Sequence, residues 1–414
     1  MNSPQNPLLR RTEEIHVKKV PVSALKKGMY VCGLDRPWIE TPFLMQGFTI
    51  DCKEDIDQIS YYCQHVMVDE KRSIAVVPDV RRQMLSMQEL FPDRKLATYT
   101  KESSWNQEFP EATKSINQLT ADTVDMMKAI RSDTPFDMAK IKGSVSGVVD
   151  SVVRNPDTSM WIARLKSKED YLYRHSISCS IWAVAVGRQI GLPKHDLKNL
   201  AMGGLLFDVG KIRLPAALLT KTNRITTEER KLLDLHIQEG LKSLAGSKVD
   251  PDVMDIIRHH HERHDGSGYP HGLKGNQIPI LARIISIVDC YDAMTSERHF
   301  AKASSPSIVT RKLYAWRDKL FQGELVEEFI QAVGMYPAGT LVQLSTGEVG
   351  IVTAVAKTQR LRPQILLLLD KNKKRISDLV PIDLAETKVN EEGTPINIVK
   401  SLEPGAFGLD PTKI

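Results

Sequence analysis

Nine of the eleven histidines fall between His175 and His299, and three are consecutive at His259, His260 and His261. The text around them is apolar at helical spacing. Ile116, Leu119, Val124, Met127 and Ile130 open the pattern, Ile177, Ile181 and Val184 continue it beyond His175, and Leu197, Leu200 and Leu205 lead to Phe207-Asp208. These recurrences, close to the three-or-four spacing of one helix face, predict amphipathic helices as far as about Val333. Asp289 lies inside a further apolar run, LARIISIVDCYDAM. Burying a carboxylate or imidazole without a partner is costly. A chain so written must fold as a helical bundle in which Asp208 and Asp289 find a cation or a ligation role.

The flanks are written differently. Residues 1–75 are short and β-like, residues 76–110 lose periodicity and read as a connector, residues 111–335 are helical, and residues 336–414 return to strands. In the last segment a Thr346-Gly347 turn separates two strands and QILLLLD forms a third. The predicted fold class is therefore multidomain α+β, a helical bundle between small β-rich N-terminal and C-terminal units. The 414 residues exceed the roughly 100 to 200 of one domain.

Composition excludes several function classes. With 42% hydrophobic and 26% charged residues the chain is not disordered. A net charge of 56 − 51 = +5 is too thin for non-specific binding of duplex nucleic acid. No run approaches the ~18 to 20 apolar residues of a membrane span, and Met1 to His16 lack a secretory apolar core. A cytoplasmic location is expected. The five cysteines, Cys32, Cys52, Cys63, Cys179 and Cys290, are scattered without a C-x-x-C pair and read as reduced, mostly buried thiols.

Chemistry concentrates in HHHERHDGSGYPHGLKG, His259 to Gly275. Adjacent imidazoles on a helix point about 100° apart. His260 and His261 therefore reach one site only from the helix edge near its C-terminal end. Asp265 to Pro270 then forms a glycine-interrupted loop through which backbone can approach a bulky ligand. Alone, such a triplet reads better as solvated surface. Thr226 and Glu229 make a capping box for the helix expected to carry His236.

The order His175-Ser176, Phe207-Asp208-Val209-Gly210-Lys211, His236, His260-His261-Glu262, Gly268-Tyr269-Pro270 and Asp289 with Tyr291-Asp292-Ala293 resembles the HD-GYP family of bacterial cyclic-di-GMP phosphodiesterases. The segment VPVSALKKGMYVCGLDRPWIETPFLMQGF is similar to the small domain of unknown function that often precedes HD-GYP domains. The resemblance implies an all-α HD-type bundle holding two divalent metal ions. It places His175, Asp208 and Asp289 on the first ion and His236, His260 and His261 on the second, with Asp208 bridging. It gives Lys211 the scissile phosphate, Arg298 a substrate phosphate, and Gly268, Tyr269 and Pro270 the substrate pocket, which Glu262 helps shape. It implies cyclic-di-GMP as substrate and diguanylate cyclases as partners of the GYP loop. His264, His271 and His299 match no family role and read as surface. Two ions about 3.5 to 4 Å apart suit phosphodiester hydrolysis. A mixed nitrogen and oxygen set without thiolate suits iron, manganese or zinc, and the resemblance implies iron or manganese as the more typical ions.

Three positions depart from the family. Phe207 stands where the first His of the HD pair is expected, removing a metal ligand; Ala301 replaces a basic residue, with Lys302 adjacent; and Tyr171 replaces the Glu that accompanies a third metal. Two metals rather than three are therefore expected. One reading is an enzyme that opens cyclic-di-GMP to pGpG and onward to GMP; the other is a degenerate domain that binds nucleotide or a diguanylate cyclase without turnover. A purely structural bundle would leave several buried polar groups unsatisfied, at about 1 to 3 kcal/mol each.

Overall fold

The computed structural model describes residues 17–36, 41, 48–50, 53–69, 73, 85–165, 171–223, 225–298, 302–354, 361–377, 381–387, 389–390 and 392–409. Cys52, His299 and Ala301 lie outside them. The chain divides into two compact units, Met1–Met84 and Leu85–Ile414.

In the first unit, β1 (Val17–Pro21), β2 (Tyr30–Leu34), β3 (Phe48–Thr49) and β4 (His65–Asp69) form an antiparallel sheet in the order β1-β4-β2-β3. The expected β-rich character holds. The polar text between β3 and β4, however, is a helix, α1 (Lys53–Tyr62). Its core-facing side amounts to little more than buried Ile59 and half-buried Ile56, so its helical periodicity is weak. Val31, Ile50, Ile59 and Val66 close a small core of their own.

The second unit begins with α2 (Met87–Leu90), capped by Ser86 and Glu89, and α3 (Trp105–Arg131). Part of the aperiodic text is thus packed structure: Phe91 is buried in the helical core, and Ala97 N donates to Gly191 O at 2.7 Å. Then follow α4 (Met138–Arg154), α5 (Pro156–Leu165), α6 (Tyr171–Ile190), α7 (Lys194–Leu206), a 3₁₀ turn over Val209–Arg213, α8 (Ala216–Leu219), α9 (Thr227–Asp234), α10 (His236–Ser243), α11 (Pro251–His259), α12 (Ile280–Thr295), α13 (Pro306–Ala315) and α14 (Gly323–Val333). The Thr226–Glu229 capping box is present, but it caps α9; the chain breaks at Leu235 and His236 opens the next helix.

The C-terminal strands β5 (Leu341–Leu344), β6 (Val349–Ala354), β7 (Gln364–Leu369), β8 (Pro381–Asp383) and β9 (Ile398–Ser401) pair antiparallel in the order β8-β7-β6-β5-β9. Leu341, Val349, Ile351 and Leu368 share one hydrophobic core with the helices, and Ser307 on α13 bonds Ser401 on β9 at 2.5 Å between hydroxyl oxygens. No described helix is long and apolar enough to cross a membrane. Cys32, Cys63, Cys179 and Cys290 are free thiols, the second and third buried.

Candidate metal centre

Helices α6, α7, α11 and α12 meet inside the second unit and bring their polar residues to one place. Phe207 caps the C-terminus of α7, so Asp208 leaves the helix pointing into the bundle and becomes the N-cap of the 3₁₀ turn. This turn lies against α10 so closely that a Cβ on Gly210 would sit 1.9 Å from the carbonyl oxygen of His236. Glycine is required there, and the close approach sets Asp208 beside His236. As the sequence predicts, His260 and His261 emerge at the C-terminal edge of α11, with His260 as its C-cap.

One donor atom from each of Asp208, His236, His260 and His261 lies within 4.8 Å of every other. The imidazoles are oriented by carbonyls: Nδ1 of His236 donates to Leu233 O at 2.7 Å, and Nδ1 of His260 donates to Ile257 O at 2.9 Å. Because a carbonyl only accepts, each Nδ1 carries the proton and each Nε2 presents a lone pair. Yet the two Nε2 atoms face each other at 3.3 Å. Asp208 Oδ1 lies 3.4 Å from His236 Nε2 and 3.9 Å from His260 Nε2, and it is buried without a hydrogen-bond partner among the described residues. Three lone pairs converge with no proton between them, an arrangement that calls for a cation.

The electrostatics agree. Burial, then neighbouring His236, pushes His260 down to about 4. Burial and His260 push His261 well below its ordinary value, and burial also lowers His236. Burial would raise Asp208, but Lys211 and the imidazoles around it outweigh that and lower it. Neutral imidazoles around an ionised carboxylate are the protonation states a divalent ion requires.

The other oxygen of Asp208 faces a second group. Oδ2 is 2.5 Å from the Lys211 ammonium and 3.8 Å from His175 Nε2, which is 3.1 Å from Asp289 Oδ1. Burial alone would depress Lys211, yet the Asp208 carboxylate raises it. His175 is aimed from behind: Nδ1 contacts Asp292 Oδ2 at 2.7 Å, and Asp292 Oδ1 accepts from Trp182 Nε1 at 3.2 Å. Cys179 Sγ is 3.6 Å from the same Nδ1 and 4.0 Å from Nε2. Asp292 was visible in the sequence only as a letter after Tyr291; its position one helical turn beyond Asp289 is the signal that both carboxylates face His175.

Phe207 is fully buried between the two groups, its ring centre 5.5 Å from that of His175 and 4.9 Å from that of His260, both edge-on. Tyr171 stacks on His175 at 5.2 Å, and Arg298, which donates to Ala293 O, lies with its guanidinium 5.9 Å from the Tyr171 ring. Lys302 is exposed.

The loop after His261 closes on Glu262, whose carboxylate accepts from His271 N at 2.8 Å and Leu273 N at 3.0 Å. A Cβ on Gly268 would lie 2.3 Å from Arg263 N, so only glycine lets this loop fold back. The Tyr269-Pro270 peptide is cis, and the Tyr269 ring stacks on His261 at 4.7 Å. His271 is exposed, whereas His264 is half-buried, its backbone N bonded to Leu320 O at 2.9 Å. That second position differs from the surface expectation because the loop is pinned against the segment before α14.

Comparison with known proteins agrees with this geometry. The HD domain family matches residues 160–319, the domain of unknown function DUF3391 matches residues 17–141, and the KOW domain associated with HD domain matches residues 341–405. The chain is 30% identical over 387 residues to cyclic di-GMP phosphodiesterase PA4108 of Pseudomonas aeruginosa, covering 92% of this chain and 91% of that one. It is 35% identical over 149 residues to the cyclic di-GMP phosphodiesterase response regulator RpfG of Xanthomonas campestris, 35% of this chain and 39% of that one. Over 159 residues it is 28% identical to 3'3'-cGAMP-specific phosphodiesterase 2 of Vibrio cholerae, 38% of this chain and 30% of that one. With a relative matched along nearly its whole length and the His and Asp side chains of the motifs gathered in one bundle, the chain belongs to the HD-GYP family of HD-domain phosphodiesterases.

Proposed function

We propose that this chain hydrolyses cyclic-di-GMP to pGpG and onward to GMP in a metal-dependent reaction. The observation that carries the proposal is the convergence of His236 Nε2, His260 Nε2 and the unpartnered Asp208 Oδ1 on one point. Asp208, His236, His260 and His261 would hold one divalent ion; His175 and Asp289, with the other oxygen of Asp208, would hold a second. When bound, such ions supply hydroxide at neutral pH and positive charge for the phosphoryl oxygens. The nitrogen and oxygen donors suit iron, manganese or zinc, and iron or manganese are taken here as the ions more typical of the HD-GYP family.

The chain's own residues do the rest. Lys211 stays cationic beside Asp208 and, being about a quarter exposed, is placed to meet a phosphoryl oxygen. Arg298, braced on Tyr171, would take a phosphate of the dinucleotide through its fork. Gly268 to Pro270 shape the wall beside His261.

A second reading, binding of nucleotide or of a diguanylate cyclase without turnover, draws on Phe207, which puts an inert ring where a ligand is expected. Metal analysis of the purified protein, followed by incubation with cyclic-di-GMP and manganese or ferrous iron and chromatography for pGpG and GMP, tests both. Bound metal with product formation supports hydrolysis. Nucleotide binding without product supports the second reading, and a protein that retains no metal overturns the first.

A further inference from the structure

We propose that Arg230 reads guanine at the mouth of this centre and so selects guanine-containing cyclic dinucleotides over adenine-containing ones. The inference deepens the hydrolytic reading above and rests on it for the location of the substrate.

Arg230 lies on α9, an eight-residue helix without a single buried side chain. The helix is held by its capping box and by Lys221, whose ammonium clasps both oxygens of Glu229 at 2.6 Å. Beyond it lies the loop after His261. The Arg230 guanidinium carbon is 5.4 Å from the centre of the Tyr269 ring, and Tyr269 in turn stacks on His261 at 4.7 Å with 27° between the planes. His261, Tyr269 and Arg230 therefore form three layers leading outward from the candidate metal ligands.

The arginine is both exposed and held in place. Nε donates to Asp234 Oδ1 at 3.1 Å and NH2 donates to the Tyr269 hydroxyl at 3.4 Å. Among the described residues its remaining N–H groups have no hydrogen-bond partner. A guanidinium fixed along one edge by a carboxylate and a phenol presents its other donors as a preorganised fork. Guanine offers two adjacent acceptors, O6 and N7, that match such a fork, whereas adenine places an N6 donor beside N7 and meets it donor to donor. A bidentate contact to a phosphate would use the same fork without distinguishing the bases.

The test compares the full-length, metal-loaded protein with Arg230→Ala and Arg230→Lys, measuring KM for cyclic-di-GMP and the inhibition constant of cyclic-di-AMP as competitor. Arg230→Ala is expected to raise KM for cyclic-di-GMP about tenfold, with most of the effect in KM rather than kcat. The preference for guanine over adenine should collapse by a similar factor, and Lys should not restore it. Equal weakening toward both nucleotides would overturn the proposal in favour of a phosphate contact, and an unchanged KM together with an unchanged inhibition constant would overturn it outright. If the unaltered protein cleaves neither cyclic-di-GMP nor bis(p-nitrophenyl) phosphate, the hydrolytic reading has failed; calorimetric binding of the two nucleotides to the same variants then still decides the role of Arg230.

Discussion

The carboxylate of Asp292 accepts from Nδ1 of His175 at 2.7 Å, across 117 positions of sequence, and thereby turns Nε2 of that imidazole toward Asp289 and Asp208. Carboxylate partners of this kind fix both the tautomer and the direction of a ligating histidine, and their loss typically costs tenfold to a hundredfold in metal affinity or activity. Asp292→Ala is expected to lower metal content and hydrolysis within that range. Asp292→Asn, which keeps an acceptor oxygen, should lose less. Metal per chain and initial rates measured on both variants check this ordering; equal, full metal content in both would show that packing alone orients His175.

Phe207 fills the gap between His175 and His260 with a ring that makes no polar contact. A histidine there is smaller and brings a ligand nitrogen to the group that has only His175, Asp208 and Asp289. Phe207→His is expected to raise the metal retained through dialysis and to increase the hydrolytic rate. Without metal it should melt earlier, since an imidazole without partners replaces a buried apolar side chain at a cost of roughly 1 to 3 kcal/mol. Metal content indistinguishable from that of the unaltered protein would remove Phe207 as the limiting position.

Glu108 on α3 provides a pH-dependent part of the stability. It is buried, and its oxygens accept from Arg154 Nε at 2.9 Å, Arg154 NH2 at 2.7 Å, Ser103 at 2.8 Å and Ser151 at 2.8 Å. Burial would raise its carboxyl, but Arg154 and the two hydroxyls outweigh burial and lower it below the ordinary value of 4.5. A carboxyl depressed in the folded state contributes stability that is complete above the unfolded value and is lost as pH falls through the folded one. Glu108→Ala leaves Arg154 uncompensated, and about 3 kcal/mol should be lost at pH 7, the low end for a buried pair because Arg154 is partly exposed. Urea unfolding at pH 7 and at pH 3 should show the difference between variant and parent shrinking in acid; a constant difference would assign the loss to packing.

Much of this centre is legible in the chain because the ligands sit at helix ends or on helix stripes, where local spacing is informative. His260 and His261 at the end of α11 illustrate this, as does Asp208 following the leucine stripe of α7. The parts that were not legible depend on distant partners. Ile59 and Ile56 give α1 too narrow an apolar face to announce a helix, and Phe91 is buried by residues far along the chain although its own neighbourhood has no period. The roles of Asp292 behind His175 and of Glu262 in closing its loop are likewise tertiary: a carboxylate in a sequence does not reveal which donor it will meet.

Two glycines give opposite expectations and test how tightly the centre is built. A Cβ at Gly210 would meet His236 O at 1.9 Å and Gly240 N at 2.3 Å, both backbone atoms that cannot rotate away. Gly210→Ala must therefore push the 3₁₀ turn off α10 and carry Asp208 away from His236. Overpacking of this kind costs about 1 to 3 kcal/mol or more, and the separation of ligands should reduce metal binding beyond what the stability loss explains. At Gly143, inside α4, an added Cβ meets nothing within 4 Å. Gly143→Ala should stabilise the protein by about 0.5 to 1 kcal/mol through helix propensity alone. Thermal melts with and without manganese read both effects. A Gly210→Ala protein that melts earlier yet keeps its full metal-induced shift would show that the Asp208–His236 spacing is set by something other than this backbone contact.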